Sequence, residues 1–405
     1  MKRIEIILLS LVALVFLASC QREAPRALSP FRMRFDLPET FKADVAYAGN
    51  EVKLNGSLSY KLTTGADGSV EVDGIVPGIY DLVTNVEISG ARYKEMLTHP
   101  PLGLRDDARV VIGVSKTGLR LFGSEDLRFA LRDMILRDLL ISKVYYSGTK
   151  DDQSRNYTVD GYIEIFNNSE QVQYIDGKYL GLAETGSPAS YPAKDHPDSI
   201  YFRQICRFPG GGTDYPIEPG KSLVVAARSA RDHRQSASTS VDLSHATFEV
   251  KNSEGEGNPD VPMLPKIHES LAITYLNLLS GGLNAVVLFE TDEDVLSWPD
   301  VYKPGATSGE HYRRMHKSLA VDGVECLKKS ATSTPDVSAK RLPDEVDAGY
   351  VVINSVSGYT HESVDRKVSR IVADRIYLVD TNNSLADFVV CGDPTPGKYD
   401  KEGLR

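Results

Sequence analysis

Apolar and polar residues alternate with a period of two over several short stretches of this chain, and each predicts a half-buried β-strand. Val52, Leu54, Leu58, Tyr60 and Leu62 recur in this way, interrupted by Gly56. The turn residues Gly65-Ala66-Asp67-Gly68 precede the alternating Ser69-Val70-Glu71-Val72. Next comes Ile75-Val76-Pro77-Gly78-Ile79-Tyr80-Asp81-Leu82. Pro77 and Gly78 suit the centre of a type II turn, because proline presets φ and glycine permits φ > 0 at the second position. Further on the apolar runs become continuous, as in strands covered on both faces. They are Leu139 to Tyr146, Tyr162 to Phe166, Ser222 to Ala227, and Leu283 to Glu290. Asn167-Asn168 reads as an exposed turn after the second run, and Pro219-Gly220 as a turn before the third. If the second and third runs are neighbours in one sandwich, Ile163, Ile165 and Val225 are buried. Between the two patterned regions, Ser124 can cap a helix carrying Leu127, Leu131, Met134, Ile135 and Asp138. A short helical connector is preferred there over two strand fragments.

The first twenty residues carry a different pattern. Lys2 and Arg3 precede an apolar run from Ile4 to Phe16, and Leu17-Ala18-Ser19-Cys20 closes it. A run this short does not span a bilayer, and a positive start with small residues at the end marks a secretory signal. The terminal Leu-Ala-Ser-Cys resembles a bacterial lipobox, which implies acylation of Cys20. One acyl chain holds a protein only marginally, so stable anchoring needs two or more.

Two longer resemblances follow. Thr64, Asp67, Gly68, Ile75, Pro77, Gly78 and Tyr80 occupy the signature places of the carboxypeptidase regulatory-like, transthyretin-type sandwich. In that family the module is a rigid, non-catalytic spacer or docking unit. The later succession "ISKVYY", "EIFNNS", an Asp-Gly turn, and Pro-Gly before an apolar strand resembles the lamin-tail β-sandwich. Glu164 and Asn167 stand where that module has its Glu and Asn, and Tyr179 stands near its usual tryptophan. Together with the lipobox, "VYYSG", "YIEIFNNS", "KRLPDEVDAGY" and "DTNNSLADF" resemble an uncharacterised Bacteroidota lipoprotein family. That resemblance implies an architecture and a compartment, and brings no activity.

The fold expected is mainly β: two antiparallel β-sandwich domains in tandem, with long irregular loops and a few short helices. Residues 1–19 are the lipoprotein signal peptide and 20–31 a lipidated, proline-punctuated tether. Residues 32–116 are the regulatory-like sandwich, 117–138 a connector, and 139–405 the larger lamin-tail-like domain with insertions.

Composition narrows the function. The 405-residue chain carries a net charge of −10, which disfavours nucleic acid and anionic headgroups as partners. Cys206, Cys326 and Cys391 fit no zinc or redox spacing, leaving one disulfide plus a thiol, or three thiols. His268-Glu269 and His361-Glu362 begin like His-Glu-x-x-His, but Ala272 and Asp365 occupy the last place. His311 and His316 are five positions apart, which misses a helical zinc face. Asp292-Glu293-Asp294 lacks the glycine and distal glutamate of a calcium loop, so no cofactor is expected beyond a structural calcium at a sandwich edge. Gly220-Lys221-Ser222 imitates the end of a phosphate loop, yet a strand follows where a helix is required. Glu164 is the one acid inside an apolar strand, read as outward-facing or paired with a buried arginine.

These observations point to a lipid-anchored envelope protein of the outer membrane, on its periplasmic side or at the cell surface. Its expected role is a non-enzymatic binding or accessory module, partnering an uptake receptor or a surface glycan. The long segments 183–216 and 291–345 are where binding is expected. The alternatives are a hydrolase whose acids come from those loops, and a structural spacer.

Overall fold

The computed structural model describes residues 30–100, 106, 108–123, 126–185, 196–250, 257–302, 306–331 and 335–399. The signal stretch, Cys20 and the tether lie outside them. The chain is mainly β and divides between Ile135 and Leu136 into two compact units.

The first unit has a five-stranded sheet in the order Ser59–Thr63, Glu51–Asn55, Gly78–Ser89, Arg109–Leu121, Arg132–Leu136. A three-stranded sheet runs Ser69–Val72, Phe31–Asp36, Leu127–Ala130. Met33, Leu54, Val72, Tyr80, Leu82 and Val110 form its core with other buried apolar residues. The helix expected over 124–141 does not form. Leu127–Ala130 instead pairs in parallel with Phe31–Asp36, and Arg132–Leu136 is a second strand. The period-two set Leu127, Phe129, Leu131 decides this, since Phe129 stacks on Phe35 with ring centroids 5.4 Å apart.

Turn chemistry follows the expectation at one place and departs from it at another. Gly68 has φ +75° and its N–H donates to the Gly65 carbonyl at 3.0 Å. Gly78, by contrast, has no positive φ and opens the strand Gly78–Ser89, while Gly74 takes the left-handed conformation at φ +72°. Two tyrosines shape this bend: Tyr80 Oη donates to the Val76 carbonyl at 2.6 Å, and Tyr60 Oη accepts the Val76 N–H at 3.1 Å.

The second unit is a two-layer sandwich. Its six-stranded sheet runs Phe248–Glu249, Ser222–Ala226, Tyr162–Asn167, Leu139–Tyr145, Ser363–Arg366, Phe388–Cys391. The other sheet runs Asp300–Tyr302, His311–His316, Ser199–Arg207, Tyr179–Ala183, Asn284–Phe289, Ala320–Cys326, with Lys266–Glu269 also paired to Ser199–Arg207. Ile163 lies opposite Val225 and Ile165 opposite Leu223, and all four are buried as the sequence pattern requires. They meet Leu180, Leu182, Val286, Leu288 and Val324 of the facing sheet. Both outer faces are covered as well: Tyr145 and Tyr162 by Leu243 and Ala246, and Phe202 and Phe289 by Trp298 and Leu342. Continuous apolar runs are the consequence of that double burial. Cys206 and Cys326 are buried free thiols, and Cys391 is a half-buried one.

Asn167 and Asn168 are not on an exposed turn. Asn167 ends its strand, and its Nδ2 donates to the carbonyls of Gln171 and Ile217, at 2.7 Å each. Asn168 is buried against the Arg375–Leu378 strand. The Glu218-Pro219-Gly220-Lys221 turn forms as expected: Lys221 N–H donates to Glu218 O at 2.9 Å, with Gly220 at φ +72°.

The motifs "KRLPDEVDAGY" and "DTNNSLADF" build a buried polar network. Arg366 donates to Asp322 Oδ2 at 2.8 Å, Asp387 Oδ2 at 3.1 Å and the Ile141 carbonyl at 3.0 Å. Burial alone would lower this guanidinium's pKa, but the surrounding carboxylates of Asp322, Asp380 and Asp387 raise it overall. Asp347 accepts the N–H groups of Glu325, Gly349 and Ser384. Glu325 accepts those of Arg341 and Leu342, at 2.8 Å each. Burial pushes the Glu325 carboxyl up to about 7, and those two amides oppose it. Two loops without regular ladders are thereby stapled to the sandwich, because a buried amide left unpaired is costly.

Candidate functional site

The strands Ser199–Arg207 and His311–His316 pair with Ser199 opposite His316, Ile200 opposite Met315 and Tyr201 opposite Arg314. Ile200 and Met315 are buried in the apolar cluster on the outer side of their sheet, which anchors both strand ends. Beside them Asp294 caps a short 3-10 turn, Val295–Ser297, by accepting the Leu296 N–H at 3.0 Å. That turn delivers Trp298, whose ring packs on Phe289 at 5.7 Å and whose Nε1 donates to Glu293 at 2.7 Å. Arg313 clasps the Trp298 carbonyl at 2.7 Å, and Arg314 N–H donates to the Pro299 carbonyl at 3.1 Å.

These elements enclose an open cleft of about 620 Å³. Arg314 supplies donors and positive charge, His196 and His316 add polar ring nitrogens, and Asp198 and Glu293 supply acceptors. The charges are held in place. Lys317 bridges Asp198 at 2.6 Å and Glu345 at 2.8 Å, and its ammonium keeps both carboxylates below their ordinary pKa. Burial disfavours the Lys317 charge, but the two carboxylates outweigh it and raise its pKa. Arg314 Nη1 donates to His196 Nε2, joining the two sides of the opening.

Both long segments expected to carry binding contribute to this cleft, one through His196 to Ser199 and the other through Glu293, Trp298 and the 314–319 stretch. Residues 186–195 of the first segment lie outside the described residues. Trp298 is buried, so it supports the cleft wall more than it offers a stacking platform. Of the acidic run, Glu293 holds the tryptophan and Asp294 caps the turn.

The other candidates take structural places. His268 lies edge-on to His311 at 5.6 Å, a meeting of two strands that no linear motif announces. Burial, then Arg313 and His311, lower the His268 pKa to about 4, so the ring is neutral at physiological pH. Glu362 accepts from Asn354 Nδ2 at 2.7 Å and Thr360 Oγ1 at 2.5 Å, bracing its own loop. Among the described residues no group of three or more His, Cys, Asp or Glu side chains is placed to hold a metal ion. No helix among them is long and apolar enough to cross a membrane. Cys20 lies outside the described residues.

The architecture is that of a two-unit, mainly β protein with a ligand-sized cleft at one strand edge of its larger sandwich. Residues 218–395 match the family model described as "Protein of unknown function (DUF4876)". The chain is also similar to the crystal structure of a DUF4876 family protein from Bacteroides thetaiotaomicron VPI-5482, at 23% identity and a TM-score of 0.57. That match covers 92% of this chain and 99% of the other. No curated protein matches this chain.

Proposed function

We propose that the chain is a lipid-anchored protein of the cell envelope that binds a polar partner through the cleft at Arg314. One observation carries this reading. Residues from the separate segments 183–216 and 291–345 line a single opening, supported by paired strands whose other residues are locked in the core. Variable loops on a rigid sandwich are a common way to present a binding surface. The cleft's mixed donors and acceptors suit a hydroxyl-rich or charged partner, such as a surface glycan or the polar face of an outer-membrane receptor. Anchoring through Cys20 would tether the cleft-bearing unit to a membrane. The hydrolase alternative would need shifted acids facing open space, whereas Glu325 and Asp322 spend their oxygens on backbone amides and Arg366.

The test is a pull-down of the acylated protein from its own envelope, compared with Arg314→Glu. Partners recovered with the wild type and lost with the variant, at equal melting temperature, support the reading. An identical partner list for both proteins overturns it.

A further inference from the structure

Lys143, Glu164 and Asp365 stand side by side on three neighbouring strands of the larger unit. Glu164 and Asp365 each lie directly opposite Lys143 in antiparallel register, one on either side. Lys143 Nζ is 3.5 Å from Asp365 Oδ2 and 4.0 Å from Glu164 Oε2. The Lys143 side chain is 2% exposed, that of Glu164 0% and that of Asp365 16%.

The C-terminal segment closes over the three. The Tyr399 ring covers Lys143 Nζ at 4.6 Å, and its hydroxyl lies 2.7 Å from Glu164 Oε1. Gly397 N–H donates to Glu164 Oε2 at 3.0 Å, and Lys143 Nζ donates to the carbonyls of Thr395, at 2.8 Å, and Lys398. The amine is thus held beside one carboxyl with a second carboxyl in reserve, away from water.

We propose that Lys143 and Asp365 become joined by an intramolecular isopeptide bond, with Glu164 relaying the proton. Lys143 Nζ, as the free amine, attacks Cγ of the protonated Asp365 carboxyl and a C–N bond forms. Glu164 takes a proton from that nitrogen and delivers it to the departing hydroxyl. The C–O bond then breaks and water leaves. Overall one ammonium and one carboxylate become a neutral amide and one water, with no oxidant or other reactant required.

Three physical arguments support the step. Burial raises the pKa of both Asp365 and Glu164, with Lys143 opposing, which favours the protonated Asp365 carboxyl that is attacked and makes the Glu164 carboxylate a stronger base. Two charges held out of water are costly, and an amide removes both. Fixed neighbours on paired strands also react as an intramolecular pair, free of the entropy cost of encounter. The bond would tie the opening strand of the larger unit, Leu139–Tyr145, to Ser363–Arg366 near its end.

Peptide mapping of the full-length protein, purified from its own envelope, tests this. Trypsin cuts after lysine and arginine, so an unlinked chain yields 138–143, 144–150 and 342–366 as separate peptides. The linked chain yields one branched peptide, 138–150 joined to 342–366 and lighter by one water. Asp365→Asn should give the same branched product with ammonia leaving instead. Glu164→Gln should accumulate it on the order of 100-fold more slowly after synthesis. Recovery of the wild-type peptides 138–143 and 342–366 unlinked and in full yield overturns the proposal. Since the wild-type map decides alone, a variant that fails to fold cannot obscure the answer. A folded Glu164→Gln that links as fast as the wild type overturns the role given to Glu164.

Discussion

Asn168 grips the backbone of Leu378 with both ends of its amide. Its Oδ1 accepts the Leu378 N–H at 2.8 Å, and its Nδ2 donates to the Leu378 carbonyl at 3.3 Å. The two residues are 210 positions apart in the chain. The clamp imitates a rung of β-ladder and fixes the Val368–Val372 and Arg375–Leu378 ribbon against the Phe166 and Leu140 side chains.

Asn168→Ala leaves a buried N–H and a buried carbonyl unpaired, at about 1–3 kcal/mol for each group. Ile165→Ala opens a core cavity costing roughly 2–5 kcal/mol. The two variants should therefore show comparable losses in urea midpoint. A wild-type midpoint for Asn168→Ala would show that the clamp is not formed in solution.

Gly68 and Gly78 should respond differently to a methyl group. At Gly68 the left-handed φ, together with a Cβ 3.2 Å from Tyr47 N and 3.3 Å from the Phe35 carbonyl, resists any side chain. Gly68→Ala should cost more than about 1 kcal/mol. At Gly78 the backbone is ordinary and a Cβ meets only the Tyr80 ring, at 3.2 Å. Gly78→Ala should cost less, and thermal melts of the two variants give the order.

The Glu325 carboxyl gives the fold a pH dependence whose sign follows from linkage. Its folded pKa of about 7 lies above its ordinary value of about 4.5. Between those values the folded protein holds a proton that the unfolded chain has released, so stability falls as pH rises. The contribution is fully present below about pH 4.5 and gone above about pH 7. Relative to Glu325→Gln, the wild type should lose urea resistance between pH 5 and pH 8. Parallel pH profiles for the two proteins would contradict the assignment.

The proposed membrane attachment depends on Cys20. Cys20→Ala should lose its acyl chains and leave the membrane fraction, as read by fractionation and by mass spectrometry of the N-terminal peptide. Full retention of the variant in the membrane would rule the lipid anchor out.

Local periodicity made much of the sandwich legible. Ile163, Ile165 and Val225 announced a doubly covered core because apolar residues fill both faces of their strands. The Glu218–Lys221 turn was equally plain, since proline and glycine encode backbone angles directly. Over residues 127–136 the sequence is ambiguous, because Leu127 and Leu131 also fit a helix, and only pairing with Phe31–Asp36 arbitrates. Glu164 and Asn168 escaped for a different reason. Their partners, Tyr399 and Leu378, arrive from more than 200 residues later, and no window of sequence contains such a contact. The cleft was half legible: long segments marked where it would lie, but the pairing that brings His196 to Arg314 was not.

The placement of Arg366 has a consequence for how the molecule is made. Its Nε reaches back 225 residues to the Ile141 carbonyl, so the opening strand of the larger unit waits for a strand made more than 200 residues later before its sheet is complete. Closing a loop of that length carries an entropic cost of roughly 5 kcal/mol plus a constant. Folds dominated by such distant pairings assemble on the slow side, in milliseconds to seconds. A chain emerging amino end first therefore exposes apolar strands until Ser363–Arg366 has been made, and this unit reaches its final form only after that. Truncation before Ser363–Arg366 should be felt at Leu139–Tyr145, and ribosome-bound intermediates should be sensitive to protease until that strand emerges.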